Sequence, residues 1–130
     1  MTDRTTLAVV AAHRTGQPLH HELVALGARL VGCTWTAPAY RLVALPGPGL
    51  RRGGLVAAVD GGAAVEVELH WLPTTALPVL AARLPAPLAL GTVELVDGPV
   101  TGIVCTAAPA GAVDVSEHGS WPGYLAAAGG

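Results

Sequence analysis

His13 closes the first apolar run of the chain, Thr5 to Ala12, and is the residue best suited to moving a proton. An imidazole titrates near neutrality, so it can give up or accept a proton in ordinary conditions. The plainer role is a polar loop residue that hydrogen-bonds the backbone. Arg14 and Arg41 offer planar, permanently charged forks that could clamp the carboxylates of a small dianion. A solvated arginine is the ordinary alternative, and more so for Arg14. Tyr40 could donate to the same ligand or simply pack at the start of a strand.

Other polar residues present similar choices. Glu66 and Glu68 alternate with apolar residues, which places them on one strand face about 7 Å apart. That spacing would suit paired-carboxylate chemistry, but a solvated outer face shared with His70 is the expected arrangement. Thr92 and Glu94 stand in the same relation. His20 and His21 open a helix across the loop from His13. Adjacent helical residues diverge by about 100°, and no cysteine or carboxylate lies at ligand spacing, so no metal site and no cofactor is expected. Gly47-Pro48-Gly49-Leu50-Arg51-Arg52-Gly53-Gly54 superficially resembles a phosphate-cradling loop. It contains proline and leads into a strand instead of a helix N-terminus, so it reads as a turn. Cys33 and Cys105 sit mid-strand among apolar neighbours, as inert core thiols do.

The elements that must position these groups are short. Thr5 to Ala12 reads as a buried strand, and Pro18 begins a helix whose Leu19, Leu23 and Leu26 recur at helical spacing until Gly27. Ala28 to Thr36 and Tyr40 to Leu45 read as strands, with a Pro-Gly loop behind them. Asp60-Gly61-Gly62 predicts a hairpin joining Leu55–Val59 to Ala63–Trp71. Pro73 to Leu84 reads as a helix, started late or kinked by Pro78. Asp97-Gly98 predicts a second hairpin between Leu88–Val96 and Val100–Ala107, and Ser120 to Ala127 a closing helix. Roughly six or seven strands with two or three short helices make an α+β fold, its mixed sheet curled toward a small barrel.

The chain has 130 residues, which predicts one domain over 1–130. With 52% hydrophobic and 12% charged residues it is too apolar for disorder. Seven basic and nine acidic residues give a net charge of −2 with no basic face, so neither nucleic acid nor a membrane surface is an expected partner. No apolar stretch approaches the roughly 20 residues of a membrane span. Met1-Thr2-Asp3-Arg4 is no secretory signal and two cysteines make no disulfide framework, so a cytoplasmic protein is expected.

Several segments in this order resemble the C-terminal domain of allophanate hydrolases. They are Leu7-Ala8-Val9-Val10-Ala11-Ala12-His13 with Gly16-Gln17-Pro18-Leu19, and Thr36-Ala37-Pro38-Ala39-Tyr40-Arg41-Leu42 with Leu45-Pro46-Gly47. Gly61-Gly62-Ala63-Ala64-Val65-Glu66-Val67-Glu68, Pro85-Ala86-Pro87-Leu88, Gly91-Thr92-Val93-Glu94-Leu95, Trp121 and Tyr124 complete the set. The resemblance implies a γ-glutamylcyclotransferase-like fold, a mixed sheet closing into a small barrel with a pocket at one mouth. It also implies a parent enzyme whose amidase half releases ammonia from allophanate and leaves N-carboxycarbamate, which the second domain is credited with breaking down. An assembly role for the domain is the other implication. The amidase half and its serine nucleophile are missing, so allophanate hydrolysis by this chain alone is not expected. Cyclotransferases carry a Tyr-Gly-x-Leu loop and a glutamate base after the central helix. Here the loop reads Ala11-Ala12-His13-Arg14-Thr15-Gly16, and Leu80 to Pro87 contains no acid, so that activity is not expected either.

Two functional readings result. In the first, the domain is an accessory in urea-derivative breakdown that binds a small carboxylate-bearing ligand. His13 is its proton donor, and Arg41, Arg14, Tyr40, His21, Thr92 and Glu94 are ligand contacts, His21 being the better family match of the histidine pair. In the second, it is a non-catalytic module that assembles with a separate amidase or with a second copy. Trp35, Trp71 and Trp121 then supply aromatic anchors that a core would equally use.

Overall fold

The computed structural model describes residues 3–129. It contains eight strands: β1 Arg4–Val9, β2 Arg29–Trp35, β3 Tyr40–Ala44, β4 Gly53–Ala57, β5 Glu66–Pro73, β6 Leu88–Leu95, β7 Gly98–Cys105 and β8 Val113–Asp114. Three short helices, α1 His20–Ala25, α2 Leu77–Arg83 and α3 Trp121–Ala127, interrupt them. Among the described residues no helix is long and apolar enough to cross a membrane.

The strands form two open sheets, ordered β2-β5-β1-β7-β6 and β4-β3-β8. The expected barrel does not close. Its would-be seam, between the outer strands β2 and β6, is drawn together only at one end, by the isolated bridge Thr36↔Leu95. There Ala37 N–H donates to Glu94 O at 2.8 Å and Val96 N–H to Trp35 O at 3.1 Å.

β1 lies in the middle of the larger sheet, antiparallel to β5 and parallel to β7. A central strand is covered on both faces, which is why Leu7 to Ala12 is continuously apolar and buried. Its residues divide by the period of two between two cores. Ala8 and Val10 face a core that includes Leu42 and Leu55 of the smaller sheet and Trp121 of α3. Leu7 and Val9 face a second core capped by Leu23 of α1 and Leu80 of α2. At Gly102, opposite Ala8, a Cβ would stand 2.5 Å from Val93 Cγ2 and 3.0 Å from Ala8 O, so the close approach of β7 requires glycine.

The β6–β7 hairpin forms at Asp97-Gly98 in full register, from Leu88↔Cys105 to Leu95↔Gly98. The hairpin expected at Asp60-Gly61-Gly62 does not form. β4 pairs with β3, while β5 pairs with β1 and β2, so this turn carries the chain from one sheet to the other. The polar face expected on β5 is also corrected, because Glu68 and His70 are buried beneath the segment between β1 and α1.

Candidate functional site

Residues 10–19 leave the C-terminal end of β1 and fold back over β5. Local backbone bonds shape this segment: Arg14 N–H donates to Ala11 O, Gln17 N–H to Arg14 O and Leu19 N–H to Ala12 O. Side chains then fasten it to the sheet. Arg14, only 6% exposed, donates through Nη2 to Glu66 Oε1 at 2.9 Å and through Nη1 to Glu66 O at 3.3 Å. Its fork is therefore engaged inside the protein and is not presented to a ligand. Glu68 Oε1 accepts from Thr15 N–H at 2.7 Å, Thr15 Oγ1 at 2.8 Å and His70 Nε2 at 2.7 Å. Burial works to raise the Glu68 carboxyl, and these three donors outweigh it, holding the group below its usual range.

His13 is 4% exposed, with Nε2 3.2 Å from Glu22 Oε1 of α1. Burial lowers its pKa. Glu22 opposes that through its hydrogen bond and charge, and Arg52 and His21 add to the lowering. The ring therefore holds a proton less tightly than a free imidazole does. Arg52 lies in the Gly47–Gly54 stretch that the sequence presents as a turn, and nothing in that stretch singles it out. It ends the β3–β4 loop and, with Leu88, lines two spaces at once. One is a recess of about 10 Å³ reaching His13. The other is a cleft of about 310 Å³ whose walls include Pro46, Pro48 and Leu50 of the loop, and Pro85 and Pro87 before β6.

The remaining sequence candidates are dispersed. Arg41, on β3 in the other sheet, pairs with Asp114 Oδ2 at 3.5 Å and lines neither the recess nor the cleft. Burial works to raise the Asp114 carboxyl, but the Ser116 hydroxyl and amide and the Arg41 charge hold it below its usual value. Tyr40 and Thr92 share a separate cavity of about 260 Å³. The Tyr40 hydroxyl accepts the backbone N–H of Glu94 at 2.7 Å, while the Glu94 side chain is exposed on β6. His21 is exposed at the start of α1. Trp121 is a core residue, whereas Trp35 and Trp71 are exposed.

Comparison with known proteins resolves the family. The model for the allophanate hydrolase C-terminal domain matches residues 5–126. The chain belongs to that family. It is 34% identical over 125 residues to the urea amidolyase of Saccharomyces cerevisiae, a match covering 92% of this chain and 7% of that protein. The Kluyveromyces lactis allophanate hydrolase superposes with a TM-score of 0.91 at 31% identity, covering 97% of this chain and 22% of that one. The chain thus spans a small part of each of these enzymes. A uropathogenic E. coli-specific protein is matched over nearly its whole chain, 97%, with TM-score 0.84 and 30% identity. An AIG2-like protein of Mus musculus, at 20% identity and TM-score 0.62, shares the fold alone. It is consistent with the γ-glutamylcyclotransferase-like architecture of the family.

Proposed function

We propose that this family member binds a small carboxylate-bearing urea derivative of the N-carboxycarbamate type and assists its breakdown. Arg52 anchors a carboxylate in the 310 Å³ cleft, and His13, which lines the separate 10 Å³ recess that Arg52 also borders, handles the proton. The observation that carries this reading is the position of Arg52 between cleft and imidazole. A bidentate guanidinium suits a carboxylate, and a partly enclosed site strengthens that pairing over its value in water. His13 keeps the proton-donor role expected from the sequence, while Arg52 replaces Arg41 as the clamp. His21 remains a candidate ligand contact, exposed at the start of α1.

The step balances simply. In N-carboxycarbamate one C–N bond breaks, its electron pair stays on nitrogen, and carbon dioxide departs. The nitrogen takes one proton from the imidazolium form of His13, which burial makes a stronger acid, and leaves as carbamate; the neutral ring left behind regains its proton from solvent. A second protonation of carbamate yields ammonia and carbon dioxide. The test is an assay in which a separate amidase acts on allophanate, with ammonia followed with and without this chain. The chain is expected to accelerate the later ammonia release, with His13→Ala abolishing the gain. Arg52→Met is expected to weaken binding of a small dicarboxylate such as malonate about tenfold or more. Ammonia release that is identical with and without the chain would refute the proposal.

One observation favours a non-catalytic assembly role with an amidase as partner. Leu30, Val31, Trp35 and Trp71 are exposed on the neighbouring strands β2 and β5, and the matched relatives carry this region within much longer chains. Capture of a purified amidase by the parent chain but not by Trp71→Ser would support it; absence of any complex at tens of micromolar would remove it.

A further inference from the structure

Outside the cleft, one cluster holds chemistry that the proposed reaction does not use. His20 at the start of α1 and Glu68 and His70 on β5 each place a donor atom within 4.8 Å of the other two. We propose that these three residues form a binding site for one divalent transition-metal ion of the zinc class.

The donor set is two imidazoles and one carboxylate, a combination that zinc accepts with a fourth position left for water. Of the three histidines near the first loop, His13 and His21 are not part of it; the partners of His20 come from a strand far along the chain. Glu68 and His70 are two apart on that strand and so share a face, and α1 brings His20 over that face with its ring 5.6 Å from that of His70.

One hydrogen bond orients the His20 ring for ligation, and another already joins His70 to Glu68. His20 Nδ1 lies 3.2 Å from His13 O, and a carbonyl only accepts, so the proton sits on Nδ1 and the Nε2 lone pair is free. An imidazole N–H donated to a backbone carbonyl is the usual way in which a metal-binding histidine is oriented. His70 donates through Nε2 to Glu68 Oε1 at 2.7 Å, which leaves the lone pair on Nδ1. All three donors to Glu68 converge on Oε1, and among the described residues no hydrogen bond reaches Oε2.

Charge supplies the second, independent reason. Glu68 is 5% exposed and His70 1% exposed. Buried carboxylates are normally paired with a cation or coordinate one. The neighbouring guanidinium, Arg14, is engaged by Glu66 at 2.9 Å, so among the described residues no arginine pairs with Glu68, whose one titratable partner is the His70 ring at 2.7 Å. A divalent ion would supply the missing positive charge, and would tie β5, α1 and the 13–15 segment together at one point.

The experiment is calorimetric titration of the chelator-treated chain with zinc sulfate, followed by cobalt(II) substitution. The expected result is one equivalent bound with micromolar or tighter Kd, and a Tm raised by about 10 °C at a hundredfold excess over Kd. The cobalt spectrum should lack thiolate charge-transfer bands. His20→Ala, at a partly exposed position that leaves the sheet intact, is expected to weaken binding at least tenfold, while Cys33→Ser and His118→Ala leave it unchanged. No saturable binding by the parent chain overturns the proposal. So does binding that survives His20→Ala, or that is lost with Cys33→Ser or His118→Ala.

Discussion

Replacing Glu68 by alanine tests whether a buried carboxylate fastens the 13–15 segment to β5. One oxygen, Oε1, accepts three hydrogen bonds of 2.7, 2.8 and 2.7 Å, two from Thr15 and one from His70. Bonds to a charged group contribute about 1.5–3 kcal/mol each, and a buried donor left without a partner costs about 1–3 kcal/mol. Thr15 is exposed, so its amide and hydroxyl can turn to water and recover much of their loss. His70 has no such recourse. Removing the charge also relieves the cost of burying it, which offsets part of the total. The expected net loss for Glu68→Ala is therefore about 2–4 kcal/mol, and for Glu68→Gln, which keeps an acceptor for Thr15, about half that. The assay is urea unfolding followed by tryptophan fluorescence, in chelator so that no cation contributes, with the slope of free energy against urea checked for constancy. A Glu68→Ala chain within about 0.5 kcal/mol of the parent would refute the reasoning, since that is the range of an unremarkable surface change.

Further outcomes follow from other contacts. Gly102→Ala should cost about 1–3 kcal/mol, because the new methyl meets Val93 and the backbone oxygen of Ala8; a neutral result in urea unfolding would mean that β1 and β7 are not packed this closely. Leu80→Ala, at a fully buried position beneath α2, should cost about 2–5 kcal/mol by the same measurement. Asp114 has its folded pKa held below the ordinary value of 3.8, so the unfolded chain binds its proton first as pH falls. Its stabilising contribution is thus complete above about pH 4 and lost as pH drops through the folded pKa. Asp114→Asn should flatten that part of the acid limb of a stability–pH curve and leave the curve unchanged in shape near neutrality.

Much of the architecture is legible in the sequence because local chemistry and tertiary pairing agree. Asp97-Gly98 marks a turn whose two flanking strands do pair with each other. At Asp60-Gly61-Gly62 the turn residues are equally plain, yet its strands belong to different sheets, since turn chemistry reverses a chain without choosing its partner. The alternation of Glu66, Glu68 and His70 points to the correct strand and the wrong environment. A polar face is read as solvated unless something covers it, and the cover here is a loop whose own polar groups complete the bonds. His13 stands out because it ends an apolar strand. Arg52 does not, because its Gly-Pro loop is a turn, as expected, and nothing local shows that the turn brings its last arginine to His13. Arg41 draws attention from its neighbours in sequence, but β3 belongs to the smaller sheet and delivers it to Asp114.

The position of β1 bears on how this polypeptide can mature. Its two hydrogen-bonding flanks are filled by β5, ending at Pro73, and by β7, which runs to Cys105. A ribosome therefore exposes one flank of a largely apolar strand until β7 has emerged, and a truncation before β7 would leave that flank open to strands of other molecules. Proteolytic nicking between β6 and β7 should, by the same logic, leave fragments that stay associated, whereas N-terminal trimming into β1 should dismantle both hydrophobic layers together.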